Sequence, residues 1–132
     1  MTKILLVDDS KFLRIATERA LGRAGYEVYT ATHGEHVLEM AREKRPDLIL
    51  LDMLLPGMTG PDVLKALKKD PATKNIAVVA FTGLSQKNAE RLQQDGAFAF
   101  LEKSNLGLDK GCVELLTALA EIVRKLNLEV PA

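Results

Sequence analysis

Leu48 to Leu51 is an unbroken apolar run closed by a single carboxylate, Asp52. Its shortness and lack of polar alternation suit a strand buried on both faces, as inside a parallel sheet. Pro56, Gly57 and Gly60 follow with turn chemistry, so the strand ends there. A carboxylate at the C-terminal end of a central parallel strand stands where open α/β sheets bind ligands. Asp52 is therefore the first candidate for chemistry, against the plainer alternative that it caps a turn.

The same pattern recurs along the chain. Lys3 to Val7 (KILLV) runs into Asp8 and Asp9, Ile76 to Phe81 (IAVVAF) into Thr82-Gly83, and Phe98 to Leu101 (FAFL) into Glu102-Lys103-Ser104. Tyr26 to Ala31 (YEVYTA) mixes polar with β-forming residues, as an edge strand does. Helical stripes lie between and after these runs. Leu13, Ala16, Ala20, Leu21 and Ala24 form the first, with Ser10 placed to cap it through its hydroxyl and Gly25 to close it. Glu35 to Lys44 forms the second, with Val37, Leu38 and Ala41 inward and Pro46 as its stop. Pro61 opens the third, which buries Val63, Leu64 and Leu67 and ends at Asp70-Pro71. Gln86 to Asp95 is a weaker fourth, with only Ala89 and Leu92 to bury, closed by Gly96. Leu115, Leu119, Ile122 and Leu126 mark a strong last helix; Val113, Leu116 and Val123 lie beyond its stripe, as core or as a contact surface.

This alternation is (βα)5 with short connections. Right-handed crossovers then give an α/β fold, a doubly wound parallel five-stranded sheet with strand order 2-1-3-4-5. At 132 residues one domain is expected, 1–132 with its core at about 3–127, and no output domain after the last helix. The formal net charge is zero, which gives no electrostatic case for nucleic acid or an anionic membrane. The N-terminal apolar run is too short for a signal peptide or a span. Cys112 is the only cysteine, so no internal disulfide can form, which fits a reducing, cytoplasmic setting.

In such a sheet Asp8, Asp9, Asp52, Thr82 and Lys103 all follow strand ends on one edge. Singly, the aspartates could be helix caps, Thr82 a turn residue and Lys103 a solvated charge. Jointly they form one cleft of three carboxylates, a hydroxyl and an ammonium. Crowded carboxylates resist ionising together, and a hard divalent cation such as Mg²⁺ relieves this through oxygen ligands. The set suits phosphoryl transfer. The cation and Lys103 would balance phosphoryl charge, Thr82 would donate a hydrogen bond, and a carboxylate would be the nucleophile.

LLVDDS, LILLDMLLPGMTGPDVL, VVAFTG and FLEKS together resemble the response-regulator receiver domain of two-component signalling, over nearly the whole chain. The resemblance is to the single-domain, chemotaxis-regulator-like type with a flavodoxin-like fold. It implies a stand-alone switch in which Asp52 accepts a phosphoryl group from a phosphohistidine of a sensor histidine kinase or phosphotransfer protein. Asp9 would bind Mg²⁺ directly, Asp8 through water, and Asp52 and the backbone carbonyl of Leu54 would add ligands. Thr82 would move onto the phosphoryl group and Lys103 would pair with it. Phe100, at the aromatic switch position, would turn inward, reshaping the face of the fourth helix, fifth strand and last helix for a downstream target protein. Such a protein catalyses only its own phosphorylation and dephosphorylation, as a monomer or a weak phosphorylation-dependent dimer.

The chain departs from the family pattern at three places. Ser104 follows Lys103 where the family usually has proline with a cis bond. Phe100 lacks a tyrosine hydroxyl, so any switch there is steric. Leu54 and Leu84 are apolar where the family flanks the attacking water, which predicts a long-lived phosphoaspartate. A receiver-like binding module that works without phosphorylation is the alternative. A phosphohydrolase with an aspartate nucleophile is more remote, because Leu54 stands where such enzymes carry a second acid. His33 and His36 are spaced as a metal pair could be, but read as surface histidines.

Overall fold

Alternate residues of each central strand face opposite sides of the sheet, and both sides are covered, which is why these strands read as continuous apolar runs. A computed structural model describes residues 2–53, 55, 58–82, 96–102, 113–126 and 128, with Thr82 described by its backbone alone. The elements are β1 (Lys3–Val7), α1 (Lys11–Arg23), β2 (Glu27–Ala31), α2 (Gly34–Lys44), β3 (Leu48–Leu51), α3 (Gly60–Lys69), β4 (Ala77–Thr82), β5 (Ala99–Glu102) and α4 (Val113–Lys125). The five strands are parallel, in the order β2-β1-β3-β4-β5, as predicted.

Leu5, Val7, Ile49, Leu51, Val78 and Ala80 point to one side and pack on Val37 and Ala41 of α2 and on Val63, Leu64 and Leu67 of α3. Ile4, Leu6, Leu48, Leu50, Val79 and Phe81 point to the other and pack on Ala20 and Leu21 of α1 and on Leu115, Leu119 and Val123 of α4. Val123 is therefore core, Leu116 packs partly buried against it, and Val113 is exposed. Thr17 is also buried in α1, with no hydrogen bond to its hydroxyl.

Several local expectations change. Ser10 does sit at the N-cap of α1, but its side chain makes no capping bond. Its own N–H donates to Asp8 Oδ1 at 2.9 Å, so the Asp8 side chain closes that turn. The helix α2 ends at Arg45, which lies in the left-handed region (φ 47°) and donates its N–H to the Ala41 carbonyl; Pro46 follows, which disfavours continuing the right-handed helix. At α3, Thr59 accepts the Asp62 N–H at 3.3 Å, and Asp70 pairs with Arg42 of α2 at 2.6 Å. The strands β2, β4 and β5 each start one residue later than predicted. Phe98 still donates its N–H to the Val78 carbonyl at 2.7 Å, just ahead of β5. Gly25, after α1, has a φ of 101°, the left-handed geometry expected of a residue that closes a helix, and Gly96 has a φ of 113°. The helix predicted over Gln86 to Asp95, and the Lys103-Ser104 bond, lie outside the described residues.

Candidate functional site

The C-terminal edge of the sheet is built by register. Val7 of β1 pairs with Ala31 on one side and Leu51 on the other, and Leu51 pairs with Ala80. Asp8 and Asp52 each continue the ladder by one hydrogen bond: the Asp8 N–H donates to the Ala31 carbonyl at 3.3 Å and the Asp52 N–H to the Val7 carbonyl at 3.0 Å. Both acids therefore leave adjacent strands at the same level. Asp9 comes one residue later in the turn to α1.

The result is a cluster in which Asp8, Asp9 and Asp52 each offer one carboxylate oxygen, all within 4.8 Å of one another. Asp8 and Asp52 are 1% and 3% exposed, while Asp9 is open to solvent. Among the described residues no other group of three His, Cys, Asp or Glu side chains comes this close. Buried carboxylates at this spacing repel one another unless a cation or proton intervenes. Hard oxygen donors with one open side fit a Mg²⁺ that keeps several of its waters.

Two further contacts hold the turns. Arg14, one turn into α1, reaches back to donate from Nη1 to the Asp8 carbonyl at 3.1 Å. On the other side Gly60, at the start of α3, donates its N–H to the Met53 carbonyl at 3.2 Å, and Met53 itself is buried. The prediction from sequence assigned Arg14 no role. The available signal was a basic residue five positions after an acidic pair, on the turn that folds back over them.

The remaining predicted residues divide. The Thr82 backbone ends β4 on the same edge, paired with Glu102 of β5; its side chain lies outside the described residues, as do Leu54, Leu84 and Lys103. Phe100 is half-buried on β5, paired with Ala80, and packs against the core on the α2–α3 side. His33 caps α2, its Nδ1 accepting the His36 N–H at 3.4 Å, and it stands 3.5 Å from Glu35. His33 is exposed, as expected of a surface histidine, whereas His36 is half-buried. Phe12 is 75% exposed on the first turn of α1, close in sequence to the acids. No helix among the described residues is long and apolar enough to cross a membrane.

Comparison with known proteins points the same way. The profile of the response regulator receiver domain matches residues 4–109. The polar-differentiation response regulator DivK of Brucella anthropi is 36% identical over 101 residues, covering 76% of this chain and 82% of DivK. Response regulator PleD of Caulobacter vibrioides is 43% identical over 103 residues, which are 76% of this chain but 22% of PleD. Among solved structures, the chemotaxis response regulator CheY4 of Vibrio cholerae superposes with a TM-score of 0.81 at 32% identity, over 92% of this chain and 98% of CheY4. A CheY-like receiver domain protein of Methanospirillum hungatei gives a TM-score of 0.82 at 26% identity, over 96% and 97% of the two chains.

Proposed function

The chain belongs to the response regulator receiver family of two-component signalling, and from that premise we propose that it is a switch phosphorylated on Asp52 by a phosphohistidine of a histidine kinase or phosphotransfer protein. The observation that carries this reading is the cluster of Asp8, Asp9 and Asp52 oxygens within 4.8 Å. In it the buried Asp52 carboxylate, the proposed nucleophile, stands beside Asp8 and Asp9, whose carboxylates would hold a cation.

In the reaction a carboxylate oxygen of Asp52 bonds to phosphorus as the phosphorus–nitrogen bond of the donor breaks, and the departing imidazole nitrogen takes up a proton. Asp9 and Asp8, with the Leu54 carbonyl, would hold Mg²⁺, which when bound neutralises phosphoryl charge. Thr82 would donate to a phosphoryl oxygen and Lys103 would pair with another. Phe100, half-buried beside the end of β4, would then repack and alter the face presented to a downstream target. Phe12, exposed beside the acidic turn, gives a donor protein an apolar anchor.

The test is intact mass after incubation with Mg²⁺ and acetyl phosphate. A single phosphate adduct, absent in Asp52→Asn, is expected. Repeated turnover of added phosphoesters would instead indicate a phosphohydrolase. No adduct with any donor would indicate a module that works unphosphorylated, the alternative that the Lys103-Ser104 sequence keeps open.

A further inference from the structure

We infer that Gly60 is a positioning residue for the phosphoacceptor: its missing side chain lets the first turn of α3 seat directly on the peptide joining Asp52 to Met53. This role rests on Asp52 being the phosphoacceptor proposed for the chain.

A Cβ placed on Gly60 would lie 2.3 Å from Met53 Cα, 2.7 Å from the Asp52 carbonyl oxygen and 2.9 Å from the Met53 carbonyl carbon. All three are backbone atoms, and none can rotate aside. Gly60 is buried, and its N–H donates to the Met53 carbonyl. Its φ lies outside the left-handed region, unlike those of Gly25 and Gly96. Glycine is therefore required here for space and not for conformation. Alanine would otherwise suit a helix better.

The consequence is a backbone clamp. On the strand side the Asp52 N–H is held by the Val7 carbonyl; on the helix side Gly60 holds the Met53 carbonyl and packs against the Asp52 carbonyl oxygen. Asp52 is thus fixed against Asp8 and Asp9 from both directions. Gly34 touches the same loop differently. A Cβ there would meet Met58 Cβ and Cγ at 2.6 and 3.0 Å and Val63 Cγ2 at 3.0 Å, so Met58 would have to move, but none of these atoms belongs to the backbone of Asp52 or Met53. Gly22, on α1, has nothing within 4 Å.

These three glycines supply the experiment. Wild type, Gly60→Ala, Gly34→Ala and Gly22→Ala are compared in melting temperature, Mg²⁺ affinity by calorimetry, amide exchange in metal-free protein, and phosphorylation rate by acetyl phosphate at saturating Mg²⁺. A geometric displacement at the nucleophile in Gly60→Ala should weaken Mg²⁺ binding and slow phosphorylation by roughly tenfold or more. It should also speed amide exchange at Asp52 and at position 60 before any metal is added. Gly34→Ala should lower the melting temperature while keeping Mg²⁺ affinity and rate, and Gly22→Ala should keep both and raise the melting temperature, because alanine suits α1 better than glycine. Unchanged Mg²⁺ affinity and rate in a folded Gly60→Ala overturn the positioning role, whatever its melting temperature. If Gly60→Ala does not fold, Thr59→Ala loosens the same turn by removing its cap; weakened Mg²⁺ binding then supports the role and unchanged binding overturns it. A wild type that neither binds Mg²⁺ nor takes phosphate overturns the phosphoacceptor reading itself, and the role of Gly60 with it.

Discussion

The backbone N–H of Asp52 donates to the carbonyl oxygen of Val7 across 3.0 Å, one step beyond the last paired residues of β1 and β3. That bond is what brings Asp52 level with Asp8. The register behind it is set by packing. A slip of one residue would turn Leu48 and Leu50 away from α1 and α4 and exchange the two faces of β3. The acidic site is therefore a consequence of how the core fills, and not of attraction between the acids.

Such crowding has a thermal signature. Neutralising one of three close carboxylates removes repulsion, so Asp9→Asn in EDTA should melt higher than the parent by about 2–5 °C. Saturating Mg²⁺ should reverse the order, because the parent gains more from binding. An unchanged or lower midpoint in EDTA would show that Asp9 is not held against its neighbours.

The core and the acids were legible because each carries a local signal. Leu48 to Leu51, followed by the turn residues Pro56 and Gly57, suits a doubly buried strand, and the alternation with helices then places Asp8 and Asp52 on one edge. The contacts that hold the site were not legible. Gly60 reads as a turn residue, and only coordinates reveal that its Cβ would fall on Met53. Ser10 has the composition of a helix cap, yet its hydroxyl makes no capping bond, and only its backbone N–H is engaged, by Asp8. The ends of β4 and β5 moved by one residue because ladder partners, and not apolar content, decide where a strand begins.

Phe12 separates two routes to the same adduct. It is 75% exposed and lies next to the acidic turn, so it should matter to a protein donor and not to a small one. Phe12→Ser should slow transfer from a phosphohistidine protein by roughly tenfold, with the acetyl phosphate rate unaltered. Equal effects on both donors would place its role inside the site, and no effect on either would leave it a bystander.

If Asp52 carries the phosphoryl group as proposed, Leu54 should affect how long it lasts. With Leu84 it is apolar at positions that in the family flank the attacking water. Leu54→Asn should shorten the half-life of the acid-quenched, then refolded phosphoprotein by roughly severalfold, by orienting water at phosphorus. Decay no faster than in the parent would count against this.

Acid sensitivity should be traceable to Asp70. Its carboxylate accepts the Ala72 N–H at 2.9 Å and Arg42 Nε at 2.6 Å, tying α2 to α3. The Ala72 amide first, and Arg42 second, hold its carboxyl below the ordinary value. A group with a depressed folded-state pKa stabilises the fold fully above the unfolded value, about 3.9, and loses that effect as pH falls through the folded value. The difference in melting temperature between parent and Asp70→Asn should thus be complete near neutrality and shrink below about pH 4. A difference that stays constant into strong acid would contradict the ion pair.

Mg²⁺ binding, measured by calorimetry on the parent and on Asp8→Asn, Asp9→Asn and Asp52→Asn under one set of conditions, goes most directly to the convergence of these acids. One site is expected in the parent, weakened by roughly tenfold or more in each variant. Affinity that survives intact when Asp9 or Asp52 is neutralised would contradict a shared cation site.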